Sequence, residues 1–153
     1  MNRVLAHGDF QEGIRWLVLE GPIGTPCAYV GIPESSPAAG LNTDFLDATG
    51  PSPHGGWTYA GTGDDIDRPA GWFWWGWDYS HAWDWTPYTQ TGHWWTVDEV
   101  VADVHRLLPD FEAWLRSRPE EGAPADARKP PPTIDELTAM ADELFGEEWR
   151  DGR

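Results

Sequence analysis

The run Trp72-Phe73-Trp74-Trp75-Gly76-Trp77-Asp78-Tyr79 decides how the chain is read. Successive side chains on a β-strand point to opposite faces. Phe73, Trp75, Trp77 and Tyr79 therefore share one face, aromatic throughout, which reads as core. Trp72, Trp74, Gly76 and Asp78 share the other, where a carboxylate stands beside two indoles. Upstream, His54-Gly55-Gly56-Trp57-Thr58-Tyr59-Ala60-Gly61 reads as a partner strand. It puts Trp57 and Tyr59 on one face and His54, Gly56, Thr58 and Ala60 on the other. If the aromatic faces coincide, the opposite face collects His54, Thr58, Trp72, Trp74 and Asp78. Such a surface suits a planar or sugar-like ligand, through stacking and a few fixed hydrogen bonds. The competing reading is that the indoles only pack.

Outward from this pair, Ile14–Glu20 and Cys27–Ile32 read as a hairpin about the turn-rich run Gly21-Pro22-Ile23-Gly24. Glu34 to Pro53 reads as a long loop, Thr62 to Ala70 as a polar acidic one, and Ser80 to His93 as a further irregular segment. Val97, Val100, Val101, Val104, Leu107, Leu108, Phe111 and Leu115 then recur at helical spacing. Thr96 and Glu99 form a capping box ahead of them, and Pro109 is expected to kink or split the helix. Prolines punctuate the stretch that follows. Thr133 opens a last helix with the stripe Ile134, Leu137, Met140, Ala141, Leu144 and Phe145, closed by Gly146. The expected architecture is α+β, a small antiparallel sheet of about four strands with one helix packed on a face. The core domain spans 1–117, a Pro-rich linker 118–132, and a C-terminal helix 133–153.

The chain has 153 residues, enough for one domain with a real core, and a formal net charge of −16. So acidic a surface repels phosphate backbones and anionic lipid heads, which excludes general nucleic-acid binding. An anionic ligand would need Arg15, Arg68 or Arg106 in its site. The same charge would let the protein mimic nucleic acid on a basic partner, or serve solubility alone. No apolar run is long enough for a membrane span, and the opening residues lack the apolar stretch of a signal peptide. The single cysteine, Cys27, forms no intrachain disulfide and reads as a buried small hydrophobe. The expected location is the cytoplasm.

Asp78-Tyr79-Ser80-His81-Ala82-Trp83-Asp84 sets a carboxylate three residues either side of a histidine. With His54 these residues would suit a divalent metal or a histidine acid–base pair oriented by aspartate. The plainer alternative is that the aspartates cap turns and His81 bonds to backbone. No complete hydrolase, Walker or dinucleotide motif is present.

The stretches Tyr29-Val30-Gly31-Ile32-Pro33, His54 to Gly61 and Trp74 to Asp84 resemble a family of small hypothetical proteins common in bacteriophages and mobile elements. Its pattern runs Gly-Tyr-Val-Gly-Val-Pro, then His-Gly-Gly-Leu-Thr-Tyr-Ser-Gly, then Trp-x-Gly-Phe-Asp-x-Ala-His-Ala-Gly-Asp. The match covers Cys27 to Leu115. It implies no activity, but it singles out His54, Asp78, His81 and Asp84. Trp83 stands where the pattern has glycine, and Ser80 where it has alanine. Three functions follow as expectations. The first is a module binding a nucleotide-like small ligand or a host protein, in a counter-defence role. The second is a metal-dependent hydrolase using His54, Asp78, His81 and Asp84. The third is an acidic interaction protein or nucleic-acid mimic.

Overall fold

The computed structural model describes residues 3–117; the expected linker and last helix lie outside the described residues. Five strands and two helices occur in the order β1 (Val4–Phe10), β2 (Ile14–Glu20), β3 (Pro26–Pro33), α1 (Thr43–Thr49), β4 (Tyr59–Thr62), β5 (Trp72–Asp78) and α2 (Val97–Arg116). The strands form one antiparallel sheet in the order β1-β2-β3-β5-β4. The α+β class is as the sequence predicts. β5 lies inside the sheet, paired to β3 on one side and β4 on the other. An inner strand covered on both faces carries large apolar side chains in both directions, hence its aromatic run.

Phe73, Trp75, Trp77 and Tyr79 do face the core, joined there by Trp16, Val18, Val30 and Ile32. Across this layer pack Leu41, Leu46 and the inner stripe of α2, namely Val100, Val104, Leu108, Phe111 and Trp114. Burying each such side chain contributes about 1.5–3 kcal/mol. The indole N–H groups buried with them find acceptors: Trp75 donates to the Leu41 carbonyl, Trp57 to that of Pro51, and Trp77 to the Tyr79 hydroxyl. Those bonds fix each ring's rotation as well as its depth.

Several expectations need correction. The sheet has a fifth strand, β1, whose inward residues Ala6, Gly8 and Phe10 are too small and mixed to give a clear alternation. Gly8 is required there, because a Cβ would stand 2.8 Å from the Trp16 indole. The long loop holds a short helix, α1, capped by Asn42, whose side chain accepts from the Phe45 amide. α2 runs unbroken through Pro109. That proline is exposed, so the His105 carbonyl it deprives of a donor lies on the solvent side. The Thr96–Glu99 capping box is present in both directions.

β4 is shorter than expected, and its faces differ from the expected alternation. Tyr59 pairs with Gly76 and so lies on the second face with Trp74, whereas Trp57 enters the core. Trp57 precedes the strand and follows Gly55 and Gly56, both at positive φ. Because β4 begins only at Tyr59, strand parity does not extend back to Trp57. Gly76 in turn makes room for Tyr29, whose ring would lie 2.5 Å from an added Cβ. We expect Gly76→Ala to destabilise the protein by about 1–3 kcal/mol, read as a lower urea midpoint; an unchanged midpoint would contradict this packing.

Candidate functional site

The predicted site residues divide between two places. His54, Thr58, Asp78, His81 and Asp84 gather at one end of the sheet. Trp72 and Trp74 lie on its second face.

At the sheet end the centre is Asp84, its side chain only 3% exposed. Its two oxygens lie 2.9 and 2.8 Å from His54 Nε2. They also accept from the His81 amide at 3.0 Å and from Trp95 Nε1 at 2.8 Å. Burial opposes ionisation of Asp84, but these bonds outweigh it and hold its pKa below the usual carboxylate range. The His54 ring stacks flat on Tyr79, with centroids 4.7 Å apart and planes 8° from parallel. Tyr79 donates to Asp103 on α2 at 2.8 Å, and its burial pushes the phenol up to about 12. Asp103 is also ion-paired with Arg106. His54 thus links the 51–56 turn, the 80–84 turn and, through Tyr79, the helix.

His81 and Asp78 form a separate pair. His81 Nε2 lies 3.1 Å from Asp78 Oδ1, but off the line of a ring N–H, so that nitrogen is buried without a hydrogen bond. Its ring fits against Gly55, where any Cβ would come within 2.3 Å of it. Asp78 also caps its own turn, accepting from the Ser80 amide and hydroxyl, and takes a bond from Thr58 at 3.3 Å. Among the described residues no three His, Cys, Asp or Glu side chains meet as metal ligands. What these residues show together is a lock between two turns. Beside it, a groove of about 430 Å³ is lined by His54, Trp95, Asp103 and Arg106.

The second face carries its own small core of Leu17, Leu19, Tyr29 and Trp74, with Trp74 just 1% exposed. The acidic loop between β4 and β5 folds over it. One Asp64 oxygen accepts from the amides of Ile66, Asp67 and Arg68, and these bonds, led by that of Ile66, bring its pKa to about 2. The Asp64 and Asp65 amides return bonds to the Arg68 carbonyl, and Pro69 accepts from Trp74 Nε1 at 3.1 Å. Gly63 is obligatory, since an added Cβ would sit 1.7 Å from the Pro69 oxygen.

This loop holds Arg68 against the sheet. Its guanidinium carbon lies 4.4 Å from the Tyr59 ring centroid and 5.1 Å from that of Tyr29. The side chain is 12% exposed, and Nε is buried with no hydrogen-bond partner among the described residues. Between the loop and strands β1 and β2 opens a cleft of about 670 Å³, lined by His7, Arg15, Leu17, Ile66, Arg68 and Trp74 among others. Arg15 stacks on Trp72 at 4.3 Å. Asp9 lies 3.5 Å from Arg15 and Asp64 lies 3.6 Å from Arg68, so the cleft's charge is mixed.

Of Arg15, Arg68 and Arg106, the cations an anionic ligand would need, the first two line this cleft and Arg106 lines the groove beside His54. Trp95, Tyr79 and Asp103 carry no sequence signal for their role in the lock; only the fold brings them to His54.

Because the folded pKa of Asp84 is depressed, its stabilising contribution is present above the ordinary carboxylate range and is lost as pH falls through the folded value. Asp84→Asn should cost about 3 kcal/mol at neutral pH by leaving His54 and Trp95 poorly matched. It should also flatten the fall in stability below about pH 4. Urea denaturation across pH checks both, and a variant as stable as the parent at pH 7 would contradict the lock. Compared with protein-family models, curated proteins and solved structures, the chain matches none.

Proposed function

We propose that the protein is a small-ligand-binding module whose seat is the second-face cleft, and that its ligand is a planar, acceptor-rich compound of nucleobase, nucleoside or nucleoside-monophosphate kind. The observation that carries this reading is Arg68, a largely buried guanidinium that lines the cleft of about 670 Å³ and whose inward Nε–H has no acceptor among the described residues. A buried donor without an acceptor costs about 1–3 kcal/mol. A loop tied by six backbone bonds to the Asp64 and Asp65 side chains and the Arg68 carbonyl nevertheless keeps it in place. The remaining walls suit the same chemistry: exposed Ile66 supplies apolar area over a floor of buried Trp74 and Leu17, and Arg15 a second fork of donors.

Electrostatics narrows the ligand. Asp9, Asp65 and Asp67 also line the cleft, in a chain of net charge −16. A polyphosphate would meet repulsion that a neutral base or a single phosphate largely escapes. Capture of a nucleotide-derived signal in the host cytoplasm would be a counter-defence role in the phage setting to which the resemblance points. Among the described residues no helix is long and apolar enough to cross a membrane.

Titration with a panel of nucleobases, nucleosides and nucleotides tests the reading through tryptophan emission and melting temperature. A nucleoside or monophosphate should quench emission and raise the melting temperature more than its triphosphate does. Arg15→Gln and Arg68→Gln should each weaken binding about tenfold, the equivalent of ~1.4 kcal/mol. Absence of any shift across the panel would refute the proposal.

A further inference from the structure

The segment from Trp83 to Trp95 is irregular in outline but closely bonded within itself. Asp84 and His93 pair as a parallel bridge, in which the His93 amide donates to the Trp83 carbonyl and the Trp85 amide donates to the His93 carbonyl, both at 2.8 Å. At the tip, the Gln90 amide donates to the Thr86 carbonyl at 2.8 Å. Thr86 and Thr89 also exchange amide-to-hydroxyl bonds at 3.2 and 3.1 Å. Gly92 is needed for the bridge: it has φ +102°, and a Cβ there would lie 2.5 Å from the Trp83 oxygen. The base of the loop is held by buried Asp84.

A loop bonded in this way holds its side chains where the backbone aims them. It aims three large aromatics at water: Trp83 is 89% exposed, Tyr88 81% and Trp94 61%. Trp94 leans on Trp85, with centroids 4.3 Å apart, which limits its motion. Trp83 has φ +75°, in the left-handed region that disfavours a bulky L side chain. Two unfavourable features coincide at that residue, a strained backbone and a solvated indole, and neither helps to form the core. Rigid, exposed tryptophan and tyrosine on a pre-organised loop are characteristic of recognition surfaces.

Charge selects the occupant. Trp85 to Gly92 contains no charged residue, while the chain as a whole carries −16. Asp98 and Glu99 follow at once in the first turn of α2. A second copy of the chain, a nucleic acid or an anionic bilayer would be repelled. A basic protein surface is attracted at long range, and on contact its arginines and lysines can lie over the indole faces. Tryptophan and tyrosine opposite arginine is also the usual make-up of interface hot spots. We propose that the Trp83–Trp94 loop docks a basic protein surface, with Trp83, Tyr88 and Trp94 as its anchors. This surface is distinct from the second-face cleft and does not depend on the ligand assigned there.

The test uses the full chain and, as probe, a fluorescent helical peptide with arginines on one face and leucines on the other. The parent chain should bind it, less tightly as salt is raised. Trp83→Gly and Trp94→Ala leave the net charge untouched, so each should weaken binding at least tenfold if the aromatics are the anchors. Trp83→Gly should also melt no lower than the parent, since glycine accepts that φ, which separates lost binding from lost folding. Parent-like affinity in both variants would mean that bulk charge alone holds the peptide and would overturn the proposal. So would failure of the parent to bind, or binding to phosphatidylcholine vesicles in place of the peptide.

Discussion

One buried carboxylate organises the irregular half of this molecule. Asp84 accepts from His54, from the His81 amide and from Trp95, three groups on three segments that have no regular secondary structure of their own. Without an ionised acceptor there, His54 loses the partner that orients it over Tyr79. The turn at Gly55 and Gly56 then loses its hold on His81. The 83–95 loop would be fixed at its His93 end by backbone bonds and the His93–Glu99 pair alone. A buried charge is costly unless it is fully bonded. Here it is bonded by groups that the chain must bring from 30 residues apart, so the carboxylate acts as a condition on the fold as well as a contact within it.

The sheet beside it separates two kinds of surface. β5 sits inside the sheet, so both of its faces are covered: one by α2 and α1, the other by the short acidic loop before it. The first cover is a helical layer that excludes water. The second is a loop too small to cover β1 and β2, and the uncovered remainder is the cleft holding Arg15 and Arg68. The ligand seat we assign therefore arises from how far that loop reaches, and the aromatic docking loop from how tightly Asp84 ties its base.

Much of the fold was legible because period and capping are local. β2, the β2–β3 hairpin, the core face of β5 and the helix beginning at Thr96 follow from alternation, turn residues and a capping box. β1 was missed because its inward positions are Ala6, Gly8 and Phe10, sized to fit Trp16 and therefore weak in pattern. α1 was missed because seven residues give too little periodicity to stand out from the loop around it. For the candidate site, the sequence brought His54, Thr58, Asp78, His81 and Asp84 to notice, and the fold does assemble them. It could not show that Trp72 and Trp74 belong elsewhere. β4 begins only at Tyr59, so the parity on which that grouping depended does not reach back to His54 or Thr58, and the acidic loop over Trp74 leaves no trace in the strand pattern.

The central claim is a division of labour: the His54–Asp84 pair holds the structure and the Arg68–Trp74 face meets the ligand. Indole and guanidinium N–H signals report on the two places separately in ¹H–¹⁵N correlation spectra recorded during titration with a nucleoside monophosphate. The account predicts that Trp72 and Trp74 Nε1–H and Arg68 Nε–H move as ligand is added, while Trp95 Nε1–H, bonded to Asp84, stays fixed. Movement of the Trp95 signal and of the His54 ring, with Trp74 and Arg68 unchanged, would contradict it and would place recognition in the groove beside His54.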